Sequence, residues 1–133
     1  MSFIGKRVTI AKQFTFDAAH HLPTVPIDHK CHRMHGHTYR VEIVFTGEIM
    51  ASGFCDDIDY ADIEVVWNRI HAMVDHRVLN DIPGLEVPST EILVWWIAQQ
   101  WLRMSYRLPS SIRIQESSTT WCEADLTNGI PEV

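Results

Sequence analysis

Apolar and polar residues alternate over 8–16, where Val8, Ile10, Phe14 and Phe16 share one parity and Thr9, Gln13 and Thr15 take the other. That two-residue period predicts a half-buried strand. A second alternation runs over 35–49, with Tyr39, Val41, Ile43 and Phe45 on one face and Arg40 and Glu42 on the other. The segment between them holds Pro23 and Pro26 and reads as a loop. Gly47 and Gly53 weaken the end of the second strand, as a bulge or turn would. The period then changes. Ile63, Val66, Trp67, Ile70 and Val74 follow the spacing of an amphipathic helix, which Asn80-Asp81-Ile82-Pro83-Gly84 is expected to end. Ser89 is a suitable cap for a second helix with Glu91 in its first turn. That helix is apolar almost all round through Leu93, Trp96, Ile97, Trp101 and Met104, and Pro109 stops it. Alternation returns at Ile112, Ile114 and Glu116, and 118–126 fits a last strand.

Strands at both ends and helices in the middle predict an α+β fold with an antiparallel sheet of about four strands. Such a sheet has two edges to protect, and assembly with further subunits is one solution. The 133 residues fit one domain, 1–133, and neither repeats nor linker-like tracts divide it. No apolar run approaches the ~18–20 residues that span a bilayer. The first residues lack the pattern of a signal peptide. Three cysteines without CxxC spacing fit a reduced, cytoplasmic setting better than a disulfide scaffold. A formal charge of −6 disfavours a nucleic-acid partner.

Six of the eight histidines fall within residues 20–37. His35 and His37 are two apart on a predicted strand and so share a face, while Gly36 points away. His20 joins that surface if the first strand runs on with the parity of Phe14 and Phe16. Three imidazoles would leave a fourth coordination position open on a zinc ion, as in catalytic sites; the plainer alternative is a set of core histidines bonded to backbone carbonyls. Cys31 lies between Lys30 and Arg33 across His32, a cationic setting that favours a thiolate. It can be read as a base or as a fourth ligand that closes the site. Cys55 and Cys122 read as packing residues. Glu116 extends an apolar strand face, where a carboxylate needs a partner, a ligand or access to water. Asp75 and His76 close the first helix, and adjacent helical residues diverge by about 100°, so the two need not touch.

Taken together, Phe16-Asp17-Ala18-Ala19-His20-His21-Leu22, Cys31-His32-Arg33-Met34-His35-Gly36-His37, Asp75-His76-Arg77-Val78-Leu79-Asn80, Pro88-Ser89-Thr90-Glu91 and Glu116 resemble the 6-pyruvoyl-tetrahydropterin synthase family from about residue 8 to residue 126. Three residues separate the cysteine from the His-Gly-His element, as in the bacterial 6-carboxy-tetrahydropterin synthase branch of the queuosine pathway. The resemblance implies the tunnelling fold, in which ββααββ subunits join their sheets into a barrel with the helices outside. It implies Zn²⁺ on His20, His35 and His37, with Cys31 as general base and Asp75 and His76 as a proton relay that can serve a neighbouring subunit. It implies a pterin triphosphate as substrate, with Glu116 anchoring the ring. Lys30, Arg33, Ser89 and Thr90 complete the expected substrate-binding set. A homo-oligomer is expected, a hexamer of two trimers with a tetramer as the alternative. The implied activity is a lyase reaction on 7,8-dihydroneopterin triphosphate. The other readings are the pyruvoyl synthase reaction and a non-catalytic zinc- or pterin-binding module. His21 and His32 stand where the pattern often has arginine or glycine, and 117–122 is less typical.

Overall fold

The computed structural model describes residues 2–132. The strands are β1 (Arg7–His20), β2 (His35–Glu48), β3 (Arg77–Val78), β4 (Ser111–Ser117) and β5 (Thr120–Asp125); the helices are α1 (Tyr60–Val74) and α2 (Thr90–Met104). The sheet runs β3-β1-β2-β4-β5 and is antiparallel except for the β1–β3 pair. The fold class is therefore the α+β arrangement expected from the sequence, with a fifth strand the sequence did not announce.

The alternating faces decide the layers. Phe16, Ala18, Tyr39, Val41, Ile43, Phe45, Ile112, Ile114 and Ala124 project from one face of the sheet into a core closed by Ile63, Trp67, Ile70 and Val74 of α1 and Leu93, Val94, Ile97 and Trp101 of α2. Phe16 stacks on Tyr39 with ring centroids 4.8 Å apart, and Phe14 on Trp67 at 5.2 Å. α2 is apolar nearly all round because seven of its fifteen residues are buried, against four in α1. The other sheet face is polar, with Thr9 hydrogen-bonded to Thr46 and Gln13 to Glu42 across β1 and β2.

Local chemistry sets the ends. Asp59 and Asp62 form a reciprocal capping box at the start of α1. Ser89 caps α2 by accepting from the Ile92 N–H. Gly47 sits inside β2 in register with Val8 rather than in a bulge, and the Asp56 carboxylate packs where a Cβ would stand. α1 ends at Val74, before the Asn80–Gly84 stop read from the sequence. Asp75 leaves the helix in an extended conformation, and His76 takes the left-handed region at φ +57°. The backbone N–H of His76 then donates to Asp17 C=O at 2.6 Å, and the next two residues pair with β1 as β3. Tertiary pairing with the β1 edge thus overrides the helical pattern. No helix among the described residues is long and apolar enough to cross a membrane.

Candidate active site

Strand β1 does run on to residue 20, and His20 pairs directly with His35 of β2. The rings of His20, His35 and His37 face the core side at the open end of the sheet. Their centroids lie 4.6 to 5.1 Å apart, and one donor atom from each falls within 4.8 Å of the others.

The remaining ring nitrogens are oriented from outside the cluster. His20 Nδ1 is 2.8 Å from Pro88 C=O, and His35 Nδ1 is 2.7 Å from Arg33 C=O. A ring that donates its Nδ1–H to a carbonyl presents a lone pair on Nε2, the arrangement that metal-ligating histidines use. The Nε2 atoms of His20 and His37 are buried and have no hydrogen-bond partner. Buried polar atoms of this kind are costly unless something binds them, and a divalent ion accepting nitrogen donors would satisfy both. Burial, partly offset by the Pro88 contact, holds the His20 imidazolium below its ordinary pKa, so the neutral form that binds metal is favoured. Tyr39 lies beneath, its hydroxyl 3.3 Å from His20 Nδ1, and burial pushes its phenol above the usual range. The donor set thus fits a zinc-type ion held by three nitrogens.

The cluster opens onto a cavity of about 440 Å³, whose walls also carry Lys30, Cys31 and Glu116. Cys31 belongs to a short 3-10 turn, Lys30–His32, tied down by its own backbone: Cys31 N–H donates to His29 Nδ1 at 3.0 Å, and Cys31 C=O accepts from Leu22 N–H at 2.8 Å. Its thiol stands outside the group of converging donor atoms. Glu116 sits near the end of β4 with Oε2 3.9 Å from His37 Nε2, too far for a hydrogen bond, so its carboxylate keeps its acceptors. Leu22, Ser117 and Thr120 complete the wall. Ser117 and Thr120 could not be singled out beforehand, because the β4–β5 register is irregular between Ile114 and Ser117.

The other expected site residues lie elsewhere. Arg33 is exposed and does not line the histidine cavity, and its carbonyl meets His35 Nδ1. The hydroxyl of Ser89 accepts from Ile92 N–H as the cap of α2, and that of Thr90 donates to the Glu91 carboxylate. Neither lines the histidine cavity.

Asp75 and His76 do touch. His76 Nδ1 is 2.8 Å from Asp75 Oδ2, because the left-handed turn at His76 removes the helical divergence expected between neighbours. Asp75 Oδ1 accepts from Asp17 N–H at 3.0 Å, with His71 Nε2 3.7 Å away. The Asp17 N–H and then the His76 ring hold the Asp75 carboxyl below its usual pKa, and the same hydrogen bond and charge raise that of His76. The imidazolium of His76 therefore favours the folded state below its ordinary pKa near 6.5, and that contribution disappears as pH rises through the higher folded-state value. Asp75→Asn is expected to bring the His76 midpoint down toward the ordinary value; a proton NMR titration that finds it unmoved would contradict the pairing. His76 of this pair borders a second, more open concavity of about 540 Å³ on β1, β2 and β3, around Asp17, Thr38 and Arg77. His37 lines both spaces.

Three histidines on adjoining strands, facing a cavity with a thiol and a carboxylate, form a site whose donor atoms could hold a metal ion. Residues 9–126 match the family described as 6-pyruvoyl tetrahydropterin synthase. The chain belongs to that family. It is 31% identical over 112 residues to a dihydroneopterin monophosphate aldolase from Pyrococcus furiosus, covering 84% of this chain and 88% of that one. It is 34% identical over 92 residues to a 6-carboxy-5,6,7,8-tetrahydropterin synthase from Synechocystis, covering 66% of this chain and 70% of the relative. The fold superposes on Caenorhabditis elegans 6-pyruvoyl tetrahydropterin synthase with a TM-score of 0.82 at 21% identity, over 93% of this chain and 99% of that one.

Proposed function

We propose that this protein is a zinc-dependent 6-carboxy-5,6,7,8-tetrahydropterin synthase. It would convert 7,8-dihydroneopterin triphosphate and one water to 6-carboxytetrahydropterin, acetaldehyde and triphosphate, in the cytoplasmic route to queuosine and related 7-deazapurines. The observation that carries this reading is the shared cavity: three metal-type histidines, the Cys31 thiol and the Glu116 carboxylate open onto one space. Its volume falls in the ordinary range of small-molecule sites, ~300–1,000 Å³.

His20, His35 and His37 would hold the ion, which supplies Lewis acidity to the hydroxyls of the substrate side chain. Glu116 accepts from the pterin 2-amino and ring N–H groups, a charge-assisted pair that orients the ring. Cys31, on the cavity wall with Lys30, acts as the general base that takes a proton from the substrate side chain. His76 returns a proton, and Asp75 keeps its Nδ1 protonated and its ring fixed. Within one chain His76 borders a different concavity from Cys31, which supports a relay completed by a neighbouring subunit in a homo-oligomer such as a hexamer. Lys30 at the cavity wall, with Arg33 nearby in sequence, offsets the triphosphate charge.

Mass-resolved products from 7,8-dihydroneopterin triphosphate test the assignment. The 6-carboxy product with acetaldehyde supports it. A 6-pyruvoyl product, or aldolase products from the monophosphate alone, would replace it with the activity named for one of the relatives. Glu116→Ala is expected to raise the KM for the pterin by about 10-fold or more, the cost of losing a charged hydrogen-bond partner at ~1.5–3 kcal/mol. Metal content should not change, and an unchanged KM would remove the anchoring role.

A further inference from the structure

On the β1 edge opposite β2, strand pairing with β3 joins Ala18 and Ala19 to Arg77 and Val78, just after the His76 N–H bond to Asp17 C=O. Continued by one step, that parallel ladder would set His20 beside Leu79, and by a second His21 beside Asn80. The chain instead turns into a 3-10 segment at Leu79–Asp81, so no strand backbone remains to pair with His21. The Asn80 side chain fills the gap. Its Oδ1 accepts from His21 N–H at 3.0 Å, and its Nδ2 donates to His21 C=O at 2.9 Å. The second amide hydrogen points toward Glu86 C=O, with Nδ2 3.4 Å away. One carboxamide thus satisfies both backbone groups of the residue that follows His20, as another strand residue would.

We infer that Asn80 is a positioning residue for the metal centre: its carboxamide replaces the missing strand and fixes the end of β1 from which His20 reaches the ion. The inference rests on the three-histidine metal reading proposed above.

Two anchors decide where His20 Nε2 stands. The ring is held through Nδ1 on Pro88 C=O, and the Cα through strand pairing with His35 on one side. On the other side, the side-chain amide of Asn80 holds residue 21, while Leu22 N–H is already bound to Cys31 C=O. The same two bonds therefore also bear on the turn that carries Cys31. Metal sites tolerate displacements of only about 0.5 Å in their ligands, and loss of an outer partner typically costs 10–100-fold in metal affinity.

The test is Zn²⁺ affinity of the full chain by competition with a chromophoric chelator, supported by the absorption spectrum of the Co²⁺-loaded protein. Asn80→Ala is expected to weaken Zn²⁺ binding 10-fold or more and to alter the Co²⁺ ligand-field bands. Asn80→Asp keeps the acceptor for His21 N–H and loses the donor for His21 C=O, so its affinity should fall by 3-fold or more. Thr46→Ala, which removes a hydroxyl pair at the far end of β1 and β2, serves as the control for general destabilisation. Zn²⁺ affinity of Asn80→Ala within twofold of the parent overturns the inference. So does an equal loss in Thr46→Ala at a matched drop in Tm. If Asn80→Ala fails to fold, Asn80→Asp decides, and parental affinity in that variant overturns the inference. A parent chain that binds neither ion sinks the metal reading itself, a result distinct from equal binding by parent and variants.

Discussion

Cys31→Ala is expected to retain its metal and to lose about 10²–10⁴-fold in turnover, the usual contribution of a positioned base. The retention follows from geometry. The converging donor atoms belong to His20, His35 and His37, and the thiol stands on the cavity wall outside them. The loss follows from chemistry. Neither Cys55 nor Cys122 lines the histidine cavity, and burial raises both thiols above their usual pKa. Metal analysis alongside a turnover assay checks both halves. A variant purified without metal would make Cys31 a ligand and close the fourth position; a metal-loaded variant with parental turnover would end its role as base.

The second large effect is expected at His35. His35→Ala removes one of three nitrogens and the only one whose ring is tied to Arg33 C=O in the turn region that carries Cys31. Two imidazoles make a weak site for a zinc-type ion, so affinity should fall by at least 10²-fold, and turnover should fall with it at ordinary metal concentrations. Folding should survive, because His35 is only half-buried and lies outside the hydrophobic core. Circular dichroism beside a metal titration separates the two. A folded His35→Ala chain that binds Zn²⁺ as tightly as the parent would show that the ion sits elsewhere.

The histidine surface was legible in the sequence because a strand has period two. With His35 and His37 on one parity, Gly36 on the other and His20 in phase with Phe14 and Phe16, the shared face follows from the pattern once β1 is allowed to extend. The layers were legible for the same reason: the alternating residues of β1, β2 and β4 became the core. What the pattern could not carry was long-range backbone chemistry. Pro88 C=O reaches His20 across 68 residues and Asn80 reaches His21 across 59, and neither partner advertises the bond. β3 is two residues long, too short for any period to register. The contact between Asp75 and His76 depends on a positive φ at a non-glycine residue, which L side chains rarely adopt and which no propensity announces. Such strain persists only where surrounding structure imposes it; here the Asp17 carbonyl and the β1 edge do so. The hydroxyl of Ser89 shows the converse. Its place just before an apolar helix already identified the cap, and the hydroxyl does accept from the Ile92 N–H.

The central claim is an ion held by three imidazoles with one position left open. X-ray absorption at the zinc edge of the metal-loaded protein tests it most directly. The prediction is three nitrogen scatterers at about 2.0–2.1 Å, with light-atom scattering alone in the remaining position. A sulfur scatterer at about 2.3 Å, or fewer than three imidazole signatures, would contradict it.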